Sequence, residues 1–335
     1  MEGNRATEDY NNYYETMERI GRGPFGYVYK VKDKKTNEFK AIKIIEIDNY
    51  DGIGNDKEIE CIMNEIKNMK KCSEYNKFSV KFYEYFKNKT EFIIVMELCD
   101  DNLGNILRKR KKGFSSKEIQ KMMIELNETF KIMVNNKIVH RDIKLENILI
   151  KYVDNEPNNF ICKLAGYGIS EDITNSGFCI DHVGTGLIMA PEILEGKEKY
   201  DNKCDLWSIG VLIYQLYFNE FPYKASTEVA ILNNIKKLGQ KVIKNTDNED
   251  LDNLIRGLLV YDTDKRLSWD KYFEHPFFCL EQKRIKEDYT KYYEIEDRIG
   301  KGCFGKVYKA IDKESKELRA IKIIELDENE NKIEN

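Results

Sequence analysis

Eight consecutive residues, His140-Arg141-Asp142-Ile143-Lys144-Leu145-Glu146-Asn147, constrain this chain more tightly than any other stretch. They stand between a helical pattern over 116–136 and an apolar run, Ile148-Leu149-Ile150, that reads as a strand. Cations, a carboxylate and an amide at this spacing seldom arise in a plain connecting loop, and loops held by rigid elements are where chemistry concentrates. Whatever fold forms must present this loop with a helix before it and a strand after it.

Upstream lies Gly21-x-Gly23-x-x-Gly26, followed by Tyr27-Val28. Glycines let a backbone approach phosphate oxygens and offer them N–H groups. The motif joins two strands and does not open a helix. That setting argues against a dinucleotide-binding βαβ turn and leaves a phosphate-covering hairpin or an ordinary one. Pro24 removes one N–H from the turn. Further on, Ala41-Ile42-Lys43 places a lysine inside an apolar strand, and a buried ammonium needs a partner. Glu65 is the candidate, three residues after Ile62 and four before Met69 on the apolar side of a helical pattern over 56–72. Glu60 falls off that face.

Residues 14–47 alternate apolar and polar around turn signals and read as three antiparallel strands, and 78–97 reads as two more. From Asn102 onward the pattern turns helical, at 103–110, 116–136, 205–219, 228–238 and 250–260. The expected class is α+β: a polar tail (1–13), a small antiparallel-sheet lobe (14–97) and a larger helical lobe (98–278). After a charged linker (279–291) a repeat begins. Residues 13–48 recur at 292–327 without a gap, and 22 of the 36 aligned positions are identical. The copy (292–335) has the first three strands of a lobe and no helix to cover them, so it reads as a truncated duplicate.

With these features in place, residues 14–278 resemble a eukaryotic Ser/Thr protein kinase domain. Met189-Ala190-Pro191-Glu192 is similar to the Ala-Pro-Glu that closes the activation segment, and Asp205-Leu206-Trp207-Ser208-x-Gly210 to the start of the central large-lobe helix. Asp264-Lys265-Arg266-Leu267 and His275-Pro276-Phe277-Phe278 resemble the closing helices. The resemblance implies a bilobal fold and transfer of the ATP γ-phosphate to Ser/Thr hydroxyls of a protein substrate. Asp142 would accept the hydroxyl proton and Lys144 would stabilise the moving phosphoryl group. ATP would lie against Ile20, Gly21, Gly23, Gly26, Val28, Ala41, Lys43 and Glu65, with Glu97 and Cys99 forming the hinge to adenine. Mg2+ or Mn2+ would sit on Asn147. Asp205 would hold the loop carrying His140 and Arg141, Arg266 would pair with Glu192, and Thr185 would contact Asp142 and Lys144. A phosphate on Thr174 or Ser176 would pair with Arg141.

One departure bears on activity. The family carries Asp-Phe-Gly after the next strand, and its Asp holds magnesium against the ATP phosphates. This chain has Gly166-Tyr167-Gly168 there. The metal site loses a carboxylate, and Asn147 alone is neutral, whereas magnesium favours carboxylate and phosphate oxygens. Asp172, six residues on, is the nearby substitute. Ile188 also stands where the family has a tyrosine, beside Gly186. Two readings stay open: a Ser/Thr kinase with impaired or atypical metal use, and a pseudokinase that acts by binding a partner protein.

The net charge of −4, with acids and bases interspersed, gives no reason to expect a nucleic-acid or membrane partner. The eight cysteines are scattered without a Cys-x-x-Cys pair, so they read as reduced thiols of a cytoplasmic protein. Residues 1–12 lack the apolar core of a signal peptide. The most apolar run, 206–218, falls short of the ~20 residues that span a bilayer.

Overall fold

The alternating pattern of residues 14–97 builds a five-stranded antiparallel sheet in the order β1-β2-β3-β5-β4. Its strands are β1 (Tyr14–Gly23), β2 (Gly26–Asp33), β3 (Phe39–Glu46), β4 (Phe82–Lys87) and β5 (Glu91–Glu97). A computed structural model describes residues 8–23, 26–47, 56–154, 156–181, 183–278, 289–302 and 305–323. Pro24 and most of the expected linker lie outside them. Successive side chains of a strand point to opposite faces. Ile42 therefore joins Val31, Phe86, Ile93 and Val95 on one face. Ala41 and Ile45 go to the other face, where Ile62, Ile66 and Met69 of helix α1 (Asp56–Ser73) cover them. Lys43 shares that second face, so the strand alternation itself turns its ammonium toward α1.

The rest of the first unit is mostly helical. After β6 (Asp101–Asn102) come α2 (Leu103–Arg110) and α3 (Ser116–Asn135), the latter opened by a Ser115/Glu118 capping box. Strand β7 (Ile138–Val139) leads into the catalytic-type loop, and β8 (Ile148–Val153) and β9 (Glu156–Leu164) leave it as a hairpin that pairs with β6. Strand β10 (Glu171–Asp172) returns to pair with β7. Helices α4 (Pro191–Leu194), α5 (Lys203–Phe218), α6 (Glu228–Leu238), α7 (Glu249–Leu258) and α8 (Trp269–Phe273) complete it. Helix α5 is buried from Cys204 through Leu216. A largely apolar helix buried on every side runs through the middle of a core. The architecture is the bilobal α+β fold that the resemblance implies.

Away from the loop, Arg266 and Glu192 form a buried bidentate pair, Nη1 to Oε1 at 2.7 Å and Nη2 to Oε2 at 2.8 Å. The same guanidinium donates to the carbonyls of Val260 and Lys203, at 3.1 and 2.9 Å. It ties α4 to the helices behind it.

The chain divides into two units, Met1–Phe278 and Cys279–Asn335. In the second, β11 (Tyr293–Gly302), β12 (Gly305–Asp312) and β13 (Leu318–Ile323) form a three-stranded sheet in chain order. Its pairing repeats the first: Tyr293↔Asp312 and Gly302↔Gly305 correspond to Tyr14↔Asp33 and Gly23↔Gly26. The register shift after Arg19 recurs after Arg298. Duplicated sequence has dictated duplicated backbone, irregularity included. Among the described residues no helix is long and apolar enough to cross a membrane.

Removing one partner of a buried ion pair leaves the other charge uncompensated, at a cost of about 3–5 kcal/mol. Glu192→Ala is therefore expected to lower the unfolding free energy by about that amount in a urea titration, and a loss below about 1 kcal/mol would contradict the assigned role of the pair.

Candidate active site

Lys43 donates to both carboxylate oxygens of Glu65, at 2.6 and 2.8 Å, and both side chains are buried. Strand alternation supplied the lysine and helical spacing the glutamate; the pair forms where the two apolar faces meet. Val28 stands opposite Lys43 on β2, and Ala41 opposite Met96 on β5. Gly21 pairs with Val28, and Ile20 falls in the irregular step of β1. Gly26 has a steric reason of its own: at φ +152° a Cβ would stand 2.0 Å from the Ile44 carbonyl oxygen. At the end of β5, Glu97 is paired with the nearly buried Lys163 at 3.0 Å. Cys99 follows two residues later, its thiol pushed up to about 12, first by burial and then by Glu97.

The loop at 140–147 is held from behind. Asp205, fully buried in the first turn of α5, accepts the backbone N–H of His140 at 2.7 Å and of Arg141 at 2.8 Å. Burial pushes its carboxyl up to about 6, against the pull of those two bonds. His140 is buried as well, and burial lowers its pKa to about 4. Its neutral ring donates from Nε2 to the Ala165 carbonyl at 3.0 Å and accepts the Asp142 N–H on Nδ1 at 3.3 Å.

Asp142 is held on both oxygens. Thr185 donates to Oδ1 at 2.9 Å, Asn147 Nδ2 donates to Oδ2 at 2.8 Å, and Lys144 lies 2.8 Å from Oδ2. Lys144 also donates to the Thr185 hydroxyl at 2.8 Å. A carboxylate, an ammonium and a hydroxyl brought within one hydrogen bond of each other can orient an incoming alcohol and take its proton.

Gly166 lies beside this group at φ +83°. A Cβ there would stand 2.5 Å from Asn147 Cγ and 2.7 Å from its Oδ1. Asn147 thus occupies the space that a side chain at 166 would need, and its Nδ2 also donates to the Asp142 carbonyl at 2.8 Å. Tyr167 is fully buried, its ring 5.1 Å from that of His140 and its hydroxyl bonded to Ser79 Oγ at 2.9 Å. That bond is what allows a tyrosine in a buried slot, because an unpaired buried hydroxyl costs about 1–3 kcal/mol.

Asp172 does not reach the site. Its Oδ2 takes Lys67 and Lys71 of α1, at 3.0 and 3.4 Å, and its Oδ1 accepts from Thr174 at 2.5 Å. Burial alone would raise its pKa, but Thr174 and Lys67 hold the carboxyl well below the usual range. Arg141 is engaged by Glu171, at 2.7 Å, and not by Thr174 or Ser176. Ser176 bonds to the Phe178 carbonyl at 2.8 Å. Periodicity carried no signal for Ser79, Lys163, Glu171 or the lysines of α1, whose partners lie far away in sequence.

Magnesium and manganese seek several oxygens, carboxylates foremost. Here the protein offers one neutral amide oxygen, on Asn147, because Asp142 is already hydrogen-bonded and Asp172 is turned away. Among the described residues no group of three acidic, His or Cys side chains is placed to hold a metal ion. The residues do not fit a protein-held divalent ion.

Residues 14–278 match the protein kinase domain family. The chain is 29% identical over 276 residues to the serine/threonine-protein kinase TIO of Arabidopsis thaliana, covering 82% of this chain and 20% of that protein. It is 33% identical over 271 residues to the serine/threonine-protein kinase atg1 of Dictyostelium discoideum, covering 80% and 39%. Identity to calcium-dependent protein kinase 5 of Plasmodium berghei is 33% over 278 residues, covering 81% and 47%. The chain spans less than half the length of these curated relatives.

A non-glycine residue at 166 would meet both an unfavourable backbone and Asn147, for a combined cost of about 1–3 kcal/mol. Gly166→Ala is expected to lose that much stability in chemical denaturation. An unchanged midpoint would mean that neither the backbone at 166 nor Asn147 resists a side chain there.

Proposed function

We propose that this chain, which belongs to the protein kinase family, binds ATP and transfers its γ-phosphate slowly to Ser/Thr hydroxyls of a protein. The observation that carries the proposal is the arrangement around Asp142. The carboxylate is held by Thr185 and Asn147 with Lys144 beside it, and Lys43 is fixed by Glu65 on the neighbouring lobe. In this reading Lys43 meets the α- and β-phosphates of ATP, Asp142 takes the proton of the acceptor hydroxyl, and Lys144 offsets charge on the phosphoryl group in transit. Glycines 21, 23 and 26 let the backbone cover the phosphates, and residues 97–99 border the adenine. The chain lacks the carboxylate at 166 that would hold a divalent ion. The loss of that carboxylate costs about 4 kcal/mol of transition-state stabilisation, about a thousandfold in rate. The unpaired cysteines among the described residues suit a reducing, cytoplasmic setting.

A second reading is favoured by Gly166 itself. With Asn147 folded over that position, the chain can hold ATP without turning it over and act on a partner as a pseudokinase.

Transfer from radiolabelled ATP to mixed protein acceptors tests the choice. The natural chain is expected to give weak incorporation that Asp142→Asn abolishes, and Gly166→Asp is expected to raise it by up to about a thousandfold. A natural chain indistinguishable from Asp142→Asn would remove phosphoryl transfer and leave the binding reading.

A further inference from the structure

Arg141 is only 7% exposed, and a guanidinium so buried is stable only when paired. Its Nη1 donates to Glu171 Oε2 at 2.7 Å and to the Tyr200 hydroxyl at 3.3 Å, and its Nε to the Ile169 carbonyl at 2.6 Å. The Glu171 carboxylate also takes the buried Cys179 thiol, and burial followed by that carboxylate raises the thiol's pKa. Cys179 and Tyr200 exchange backbone hydrogen bonds at 2.7 and 3.0 Å, and the Tyr200 hydroxyl donates to the Asp181 carbonyl at 2.6 Å. One network therefore ties the catalytic-type loop, β10, residues 179–181 and the approach to α5; the carboxylate hydrogen-bonded to Arg141 is the half-buried Glu171, while the exposed Asp181 carboxylate stands farther off, at 3.7 Å.

A parallel set of contacts joins the same segment to α1. Asp172 takes Lys67 and Lys71, and Asn68 Nδ2 donates to Ser170 Oγ at 3.0 Å. A phosphate seeking Arg141 would have to displace Glu171, and one on Thr174 would set a dianion against Asp172, whose Oδ1 already accepts the Thr174 hydroxyl.

We propose that Glu171 is a built-in counter-ion of Arg141, so that the activation segment is ordered without phosphorylation and neither Thr174 nor Ser176 is its switch. The proposal holds whether or not the chain transfers phosphate.

Hydrogen–deuterium exchange on the phosphatase-treated full chain tests it. The amides of Ile173 and Cys179, which donate to the Lys137 and Tyr200 carbonyls, are expected to exchange slowly. Replacing both Thr174 and Ser176 with Ala is expected to change nothing. Glu171→Gln, which keeps shape and removes charge, is expected to speed exchange over 169–181 more than about tenfold while α5 stays protected. Fast exchange in the dephosphorylated natural chain that slows on phosphorylation would overturn the proposal, as would a Glu171→Gln variant with natural protection. If Glu171→Gln does not fold, the dephosphorylated and phosphorylated natural chains decide between the two outcomes.

Discussion

Asp205 accepts two successive backbone N–H groups, those of His140 and Arg141, from inside the protein where water cannot replace them. The bonds matter because Arg141 is held at φ +66°, a region that costs a non-glycine residue about 1–3 kcal/mol. A strained turn persists only when its surroundings over-determine it, and a carboxylate fixed in the first turn of the central helix does so. The turn places Arg141 on Glu171 and its neighbour Asp142 among Thr185, Lys144 and Asn147. The geometry of the front of the loop thus depends on a carboxyl buried behind it. Two hydrogen bonds offset much of the desolvation that this group suffers.

Helix α1 is the second fixed point. Glu65 holds Lys43 on the sheet side, while Lys67, Asn68 and Lys71 hold Asp172 and Ser170 on the other. Tyr167 is pinned beneath the helix by Ser79. The two glycines that flank Tyr167 would loosen the segment on their own, but the contacts on either side of it remove that freedom. What Gly166 contributes instead is room. The Asn147 amide fills it and bonds to Asp142, so the position that would carry a metal-binding carboxylate serves to brace the loop.

Local pattern made much of this legible. Alternation over 14–47 located three strands and turned Lys43 to the face that α1 covers. Helical spacing selected Glu65 over Glu60. The loop motif stood out because its polar residue types at that spacing seldom form a plain loop, and Asp205 because the stretch around it resembles the start of the central helix of protein kinases. What could not be read has a common cause. Glu171, Asp172, Ser79 and Lys163 gain meaning only from partners dozens of residues away, and single polar residues in irregular segments carry no period. The two-residue strands β6, β7 and β10 are likewise too short to alternate. The partner that Arg141 takes in the folded chain, Glu171, lies thirty residues away and only folding brings it near.

Melting of the full chain with ATP tests most directly the proposal that it binds nucleotide with no protein carboxylate for a metal. A ligand that binds only the native state raises the melting temperature, and the rise grows with the logarithm of ligand concentration over its dissociation constant. ATP with chelator should raise it, and adding magnesium or manganese should leave the rise nearly unchanged. A rise that appears only with metal, or grows steeply with it, would contradict the account and show that the site holds the ion by groups other than a carboxylate at 166.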